Sequence, residues 1–183
     1  MKVMKRWLLR FVEKTSLFCF LKVIKYDEVI KLNKNDILAI KNMVVKRINV
    51  LLKDVNKSDE LYRELCNYVI GLGKDFGYEG ARMKLQNYNV NKSDYIDVIW
   101  INKLGHIEWA ISIDGGLRKK SIAKLKAVHT ENKLWLYYGN SKKLRKFIEK
   151  NDPNGDITVI HLGDFRKKIR NKDISKNILN KAF

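Results

Sequence analysis

An α/β fold, with a mixed sheet flanked by helices in the order αβββαβ and a helical N-terminal extension, is what the sequence predicts. Three observations predict it. Apolar residues recur at helical spacing as far as about Leu72, and the pattern becomes strand-like after Gly80. Two strand patterns, Tyr95 to Ile101 and Ile107 to Asp114, are joined through Lys103-Leu104-Gly105-His106, a connection short enough for a β-hairpin. Helix and strand patterns then alternate to the end of the chain.

Residues 1–57 form the expected extension. Trp7, Leu8, Phe11 and Val12 recur at helical spacing, Leu17 to Ile24 is an unassigned apolar run, and Asp36 caps a longer helix with Ile37, Ile40, Val44, Ile48, Leu51 and Leu52 on one face. Residues 58–183 form the expected main domain. Ser58 reads as an N-cap, with Asp59 and Glu60 in the first turn, where the helix dipole favours carboxylates. Leu61, Leu65, Tyr68, Val69 and Leu72 supply the buried stripe, and Gly71 and Gly73 end the helix. Ala81 to Val90 is the first strand, and Ile107, Trp109, Ile111 and Ile113 share a face of the third. Ser121 caps a short helix carrying Ile122, Leu125 and Val128, and Leu134 to Tyr138 is a strand of good β-formers. Ser141 opens a basic helix to about Lys150, Pro153-Asn154-Gly155 turns the chain, Ile157 to Leu162 is a strand, and Asp164 caps a C-terminal basic helix.

The chain has 183 residues, 45% of them apolar, enough for a packed core and too many for disorder over most of its length. Its formal charge is +18, which makes an anionic polymer the first partner to consider. The charge is uneven: residues 1–58 hold 14 basic and 5 acidic side chains, 59–114 hold 6 and 9, and 115–183 hold 18 and 6. Acids in the middle repel phosphate, so a chain that only coats a polyanion gains nothing from them. Cys19 and Cys66 match no CxxC spacing, which excludes a cysteine zinc site and a disulfide framework and suits a reducing compartment. Charges interrupt the apolar N-terminal runs before they reach signal-peptide or membrane-span length, so a cytoplasmic location is expected and membrane insertion is not.

The central acids acquire geometry from the hairpin. If Asn102 pairs with Ile107, residue numbers of antiparallel partners add to 209; Asp97 then faces Ser112 and Tyr95 faces Asp114. Asp97 and Asp114 become diagonal neighbours, about 7–8 Å apart between Cα atoms, close enough to share a hydrated divalent ion. Glu108 faces Ile101 in this register and is too far along the strand to join them. Acids that hold Mg²⁺ beside a lysine have a use in phosphodiester hydrolysis: the ion activates water, and the lysine stabilises the developing charge.

In this order of elements, and in Asp97-Val98-Ile99-Trp100, Trp109 to Asp114 and Lys119 to Leu125, the sequence resembles the PD-(D/E)XK, or restriction-endonuclease-like, nuclease superfamily over about residues 59–162. The resemblance implies a restriction-endonuclease-like core and a metal-dependent DNA nuclease using Mg²⁺ or Mn²⁺. Asp97 matches the first acid, Ser112 stands where the second acid belongs, and Asp114 stands where the strand lysine belongs. Asp114 as the replacement acid, Lys120 or Lys124 as the migrated cation, and Glu64 as an added ligand would repair the site. The alternative implication is a catalytically degenerate nuclease fold that binds nucleic acid.

Gly71-Leu72-Gly73-Lys74 follows a helix rather than a strand and reads as a helix end, not a phosphate loop. His106, His129 and His161 have no metal-ligand spacing. Trp135, Tyr137 and Tyr138 are the candidates for base stacking. Arg118, Lys119 and Lys126, then Lys142, Lys143, Arg145 and Lys146, then Arg166, Lys167, Lys168 and Arg170 form the candidate nucleic-acid surface, suited to backbone contact. Nucleic acid, DNA first, is the expected partner, and a homodimer or a membrane-surface role for the basic N-terminus stays open.

Overall fold

The computed structural model describes residues 34–55, 57–85 and 95–171. The expectations for Trp7 to Val12 and for Leu17 to Ile24 lie outside these residues; the first strand, expected from Ala81 to Val90, runs instead over Glu79–Lys84, with Leu85 already outside it and residues 86–90 not described.

Helix α1, Lys34–Asp54, buries Ile40, Val44, Ile48 and Leu51 and packs along α2, Ser58–Leu72. Asp36 lies in the first turn of α1 rather than at its cap. Ser58 is likewise inside α2; Lys57 occupies the cap position and makes no side-chain cap bond. Gly71 lies inside this helix, whose α-helical part ends at Leu72 with Gly73 at the C-cap position, as expected. The helix continues into a 3₁₀ turn, Gly73–Phe76, and ends where Gly77 takes φ +80°, a left-handed conformation that costs a glycine no Cβ clash.

Five strands, β1 Glu79–Lys84, β2 Tyr95–Ile101, β3 Ile107–Asp114, β4 Asn132–Tyr137 and β5 Thr158–His161, lie side by side in chain order. The pairs β1/β2 and β2/β3 are antiparallel, and β3/β4 and β4/β5 are parallel. Helices α3, Lys119–Lys126, and α4, Leu144–Asn151, are the connections that parallel pairing requires. Residues 165–171 form a further helix, α5, whose backbone is capped by Asp164 Oδ1 accepting from Lys167 N at 3.3 Å. The described chain therefore runs αβββαβ with α1 before it and αβα completing it.

Partners in the hairpin add to 209 at Val98↔Ile111, Ile99↔Ala110 and Trp100↔Trp109, and the register then slips to Ile101↔Ile107. Asn102 causes the slip. Its Oδ1 accepts from Leu104 N and His106 N, and its backbone closes on His106 O at 2.9 Å, so the loop begins one residue earlier than alternation alone suggests. Ile107, not Glu108, is thus opposite Ile101. The bulge also turns Ile107 away from the Trp109 face, so that it packs with Ile101 on the other side of the sheet.

That side carries the cluster Ile99, Ala110, Trp135 and Tyr137, covered by Ile122 and Leu125 of α3 and Leu144 ahead of α4's apolar turn. On the opposite side Trp100 donates its indole N–H to Val69 O at 3.0 Å and stacks on Phe76 and Tyr78, so α2 is fixed against β2. The result is helices, sheet, helices. None of the described helices is long and apolar enough to cross a membrane.

Trp100 is fully buried and joins the sheet to α2 by packing and by its N–H. Trp100→Ala is expected to lower the unfolding free energy by about 3–5 kcal/mol in urea titrations; a loss under about 1 kcal/mol would show that α2 is held by something else.

Candidate functional site

Between β2 and β1 the register shifts again: Ala81 faces Ile99 while Met83 faces Ile96, so β2 spends one extra residue over Asp97 and Val98. Bulges of this kind re-aim a side chain. Paired residues of β2 and β3 also end at Val98↔Ile111, and Ile113 N donates instead to Asp97 Oδ2 at 2.8 Å. The Asp97 carboxylate, only 6% exposed, replaces the missing strand partner. Its Oδ1 accepts the hydroxyl of Tyr62 on α2 at 2.7 Å and lies 3.9 Å from Lys124 Nζ on α3. Lys124 also donates to Tyr95 O at 2.6 Å, and Arg82 Nη2 of β1 donates to Tyr62 Oη at 3.3 Å. Burial, the Asp97 charge and its hydrogen bond push the Tyr62 phenol well above its usual range, which keeps it a donor. Cys66, one turn along α2, is buried and free, and desolvation pushes its thiol up to about 12, so it is an inert packing group.

Asp114 ends β3 and is 5% exposed. Its Oδ2 accepts the Trp135 indole N–H at 2.9 Å, and Arg118 Nε lies 3.5 Å from Oδ1. Burial raises its pKa above the usual carboxylate value; hydrogen bonds from Ser121 and Trp135 oppose that shift, the charge of Asp97 adds to it and Arg118 offsets part of it. Ser121 is therefore not the cap of α3: the helix begins at Lys119 after Arg118, and the buried Ser121 hydroxyl serves Asp114.

A divalent ion between Asp97 and Asp114 is what the resemblance implies, and the donor set does not fit one. Mg²⁺ keeps several waters and needs carboxylate oxygens turned toward them. Here every carboxylate oxygen of the pair faces a protein donor or cation, and both acids are almost wholly buried. Ser112 is 0% exposed and its hydroxyl has no hydrogen-bond partner among the described residues. Glu64 does not join the pair: it sits two positions from Tyr62, on a different face of α2, with Arg63 Nε 4.0 Å away. Among the described residues no group of three His, Cys, Asp or Glu is placed to hold a metal ion. Of the two candidate lysines, Lys124 reaches Asp97, while Lys120 lies exposed in the first turn of α3.

Because β3, β4 and β5 are parallel, the loops that leave them emerge at one edge of the sheet. Those loops lead into Arg118 and Lys119, into Lys142 and Lys143, and into Arg166 and Lys167, so basic clusters far apart in sequence follow three adjacent strands. The loops are tied together: Tyr138 N donates to Asp114 O at 2.9 Å, Leu162 N to Tyr137 O at 2.8 Å and Asn140 Nδ2 to Asp164 Oδ2 at 3.3 Å. Gly115 permits this closeness, since a Cβ there would lie 2.6 Å from the Tyr138 ring. A cavity of about 350 Å³ lined by Tyr62, Asp114, Arg118 and Arg166 adjoins one of about 910 Å³ lined by Asn140, Arg166, Lys167 and Arg170.

The other basic candidates divide. Lys146 and Lys168 are exposed on α4 and α5, with Lys168 Nζ 4.9 Å from the Phe165 ring centre. Arg145 is exposed but pairs with Glu149 at 2.8 Å. Lys126 is bound internally, 2.9 Å from the buried Asp152 and 3.6 Å from Asp156, and it ties α3 to the turn before β5. Trp135, Tyr137 and Tyr138 are 0%, 2% and 3% exposed and offer no stacking platform. Tyr62 and Arg82 are the site residues that sequence reasoning missed, and Trp135 was singled out only as a stacking platform, not as a donor to Asp114. The available signal was Tyr62 one turn before Cys66, on the edge of the apolar stripe.

No protein-family model, curated protein or solved structure matches the chain.

A buried acid whose pKa is raised by folding binds its proton more tightly in the native state. Its contribution to stability is then greatest below the unfolded value and declines as pH rises through the window up to the raised native value. The stability of the protein minus that of Asp114→Asn is accordingly expected to fall as pH increases from about 4. Urea titrations at matched ionic strength measure it; a difference that grows with pH would refute the assignment.

Proposed function

We propose that this protein binds nucleic acid through the basic edge of a nuclease-like α/β fold, with Asp97 and Asp114 acting as internal anchors rather than metal ligands. One observation carries this reading: the two acids are saturated by Tyr62, Ile113 N–H, Lys124, Trp135 and Arg118, while the cations around the neighbouring cleft are exposed. The order αβββαβ and the mixed five-stranded sheet agree with the nuclease-like part of the proposal. Lysine and arginine on three loops suit phosphate contact, which positions a polynucleotide without reading its bases. Trp135, Tyr137 and Tyr138 are buried and give no surface for base stacking, so the contribution of the loops to affinity rests on charge.

Fluorescence anisotropy with labelled DNA in chelator and in Mg²⁺ tests this. Affinity is expected to be the same in both and to fall steeply with salt, and Lys142→Ala or Lys146→Ala is expected to lower the slope of log affinity against log salt by about 1 each. Binding that requires the metal, or Mg²⁺-dependent cleavage lost in Asp97→Ala, would overturn the proposal in favour of a nuclease.

A further inference from the structure

We infer that the cleft beside the turn after β3 is a subsite for the terminal phosphate of a nucleic-acid strand, gripped by Arg118 and Arg166; the inference rests on the nucleic-acid-binding reading. Arg118 Nε is held 3.5 Å from Asp114 Oδ1, and Arg166 Nη1 donates to Gly115 O at 3.2 Å. The two anchors are consecutive residues, so the turn itself sets the spacing of the guanidinium groups. Arg118 rests against Asp114 as an ion pair and Arg166 spends one N–H on Gly115 O, so each keeps the remainder of its fork for a ligand. Both side chains are exposed and both line the cavity of about 350 Å³.

The chemistry of that pair selects its ligand. A guanidinium fork matches two phosphate oxygens, and on an internal diester two forks must share its two free oxygens and single charge. A terminal monoester presents three strong acceptors and a charge near −2, which suits two forks. Shape points the same way. The adjoining cavities of about 350 and 910 Å³ are concave and of nucleotide-binding size, whereas a duplex presents its phosphates on a convex surface. Lys167 and Arg170 line the larger cavity and continue the positive track for the next phosphates. In this arrangement Asp114 is a positioning residue: its carboxylate orients Arg118 and takes no part in chemistry.

The full chain is titrated by anisotropy against one single-stranded oligonucleotide carrying a 5′-phosphate, a 3′-phosphate or only hydroxyls, against a closed circle of the same composition, and in competition with a free mononucleotide. A phosphorylated end is expected to bind about 10-fold tighter than the hydroxyl form. Arg166→Ala is expected to erase that preference, whereas Lys142→Ala, on a different loop, is expected to weaken ends and circle alike and keep the preference; Arg166→Lys, which keeps the charge without the fork, is expected to restore little of it. Circular dichroism establishes that the variants fold. Equal affinity for phosphorylated and hydroxyl ends overturns the subsite and leaves the nucleic-acid reading standing. Preference for the free mononucleotide, with no binding to any oligonucleotide, overturns both.

Discussion

The Asp97 carboxylate is the constraint on which the site is built. At 6% exposure a charge must be compensated from inside, and three elements supply the compensation: the phenol of α2, the backbone N–H of β3 and the ammonium of α3. Helices from both faces of the sheet therefore meet at one residue of one strand. The bulge in β2 makes this geometry available, because regular alternation would commit the side chain to a single face. Where the carboxylate takes the Ile113 N–H, β2 stops pairing with β3, and the end of β3 is left to pair with β4 alone. The opening into which Asp114 and its turn fit follows from that release.

Asp114 applies the same logic at the surface of the opening. Its two oxygens divide their duties, one to an indole in the core and the other toward a guanidinium that is largely in solvent. A buried group on one side and an exposed one on the other make the residue a link between core and cleft. The positive charge of the chain divides in a comparable way. Lys124 and Lys126 serve buried acids and contribute to the integrity of α3, whereas Arg118, Lys142, Arg166 and Lys167 stand where the chain leaves the edge of the sheet and enters the next helix or turn. Net charge alone gives no hint of this division, since a lysine inside an ion pair and one facing solvent count equally in the sequence.

The architecture was legible because its signals are local. β2 and β3 have the expected bounds, Asp164 caps α5 as expected, and the hairpin register holds wherever alternation governs it. The register failed at Asn102, where a side-chain oxygen competing for loop N–H groups outweighed alternation. The helix starts at Ser58 and Ser121 were misplaced for a related reason. A serine near a helix start is a good cap only if its hydroxyl is free for the backbone, and that of Ser121 is taken by Asp114 from a different element. In the site, Asp97 was legible as a carboxylate in an apolar strand and Asp114 through the hairpin register, whereas Lys124 was named only through the resemblance. The roles of Tyr62 and Trp135 were not legible, because a phenol on a helix stripe and an indole in a strand look the same in sequence whether they only pack or also donate a hydrogen bond.

Ser112 shows how the pieces depend on one another. It lies beside Trp135 in the parallel pairing of β3 with β4 and two residues before Asp114, fully buried and with its hydroxyl unpartnered among the described residues. A carboxylate at that position would add a third negative charge to a region where Asp97 already raises the proton affinity of Asp114. The nearby cations are committed, Lys124 to Asp97 and Arg118 to Asp114, so an acid there would need a resident cation or a proton. A small neutral residue at 112 is thus consistent with acids balanced by the protein's own donors. Neutrality at 112 leaves Arg118 as the counter-charge of Asp114, and through Arg118 the buried acids of the core reach the cleft.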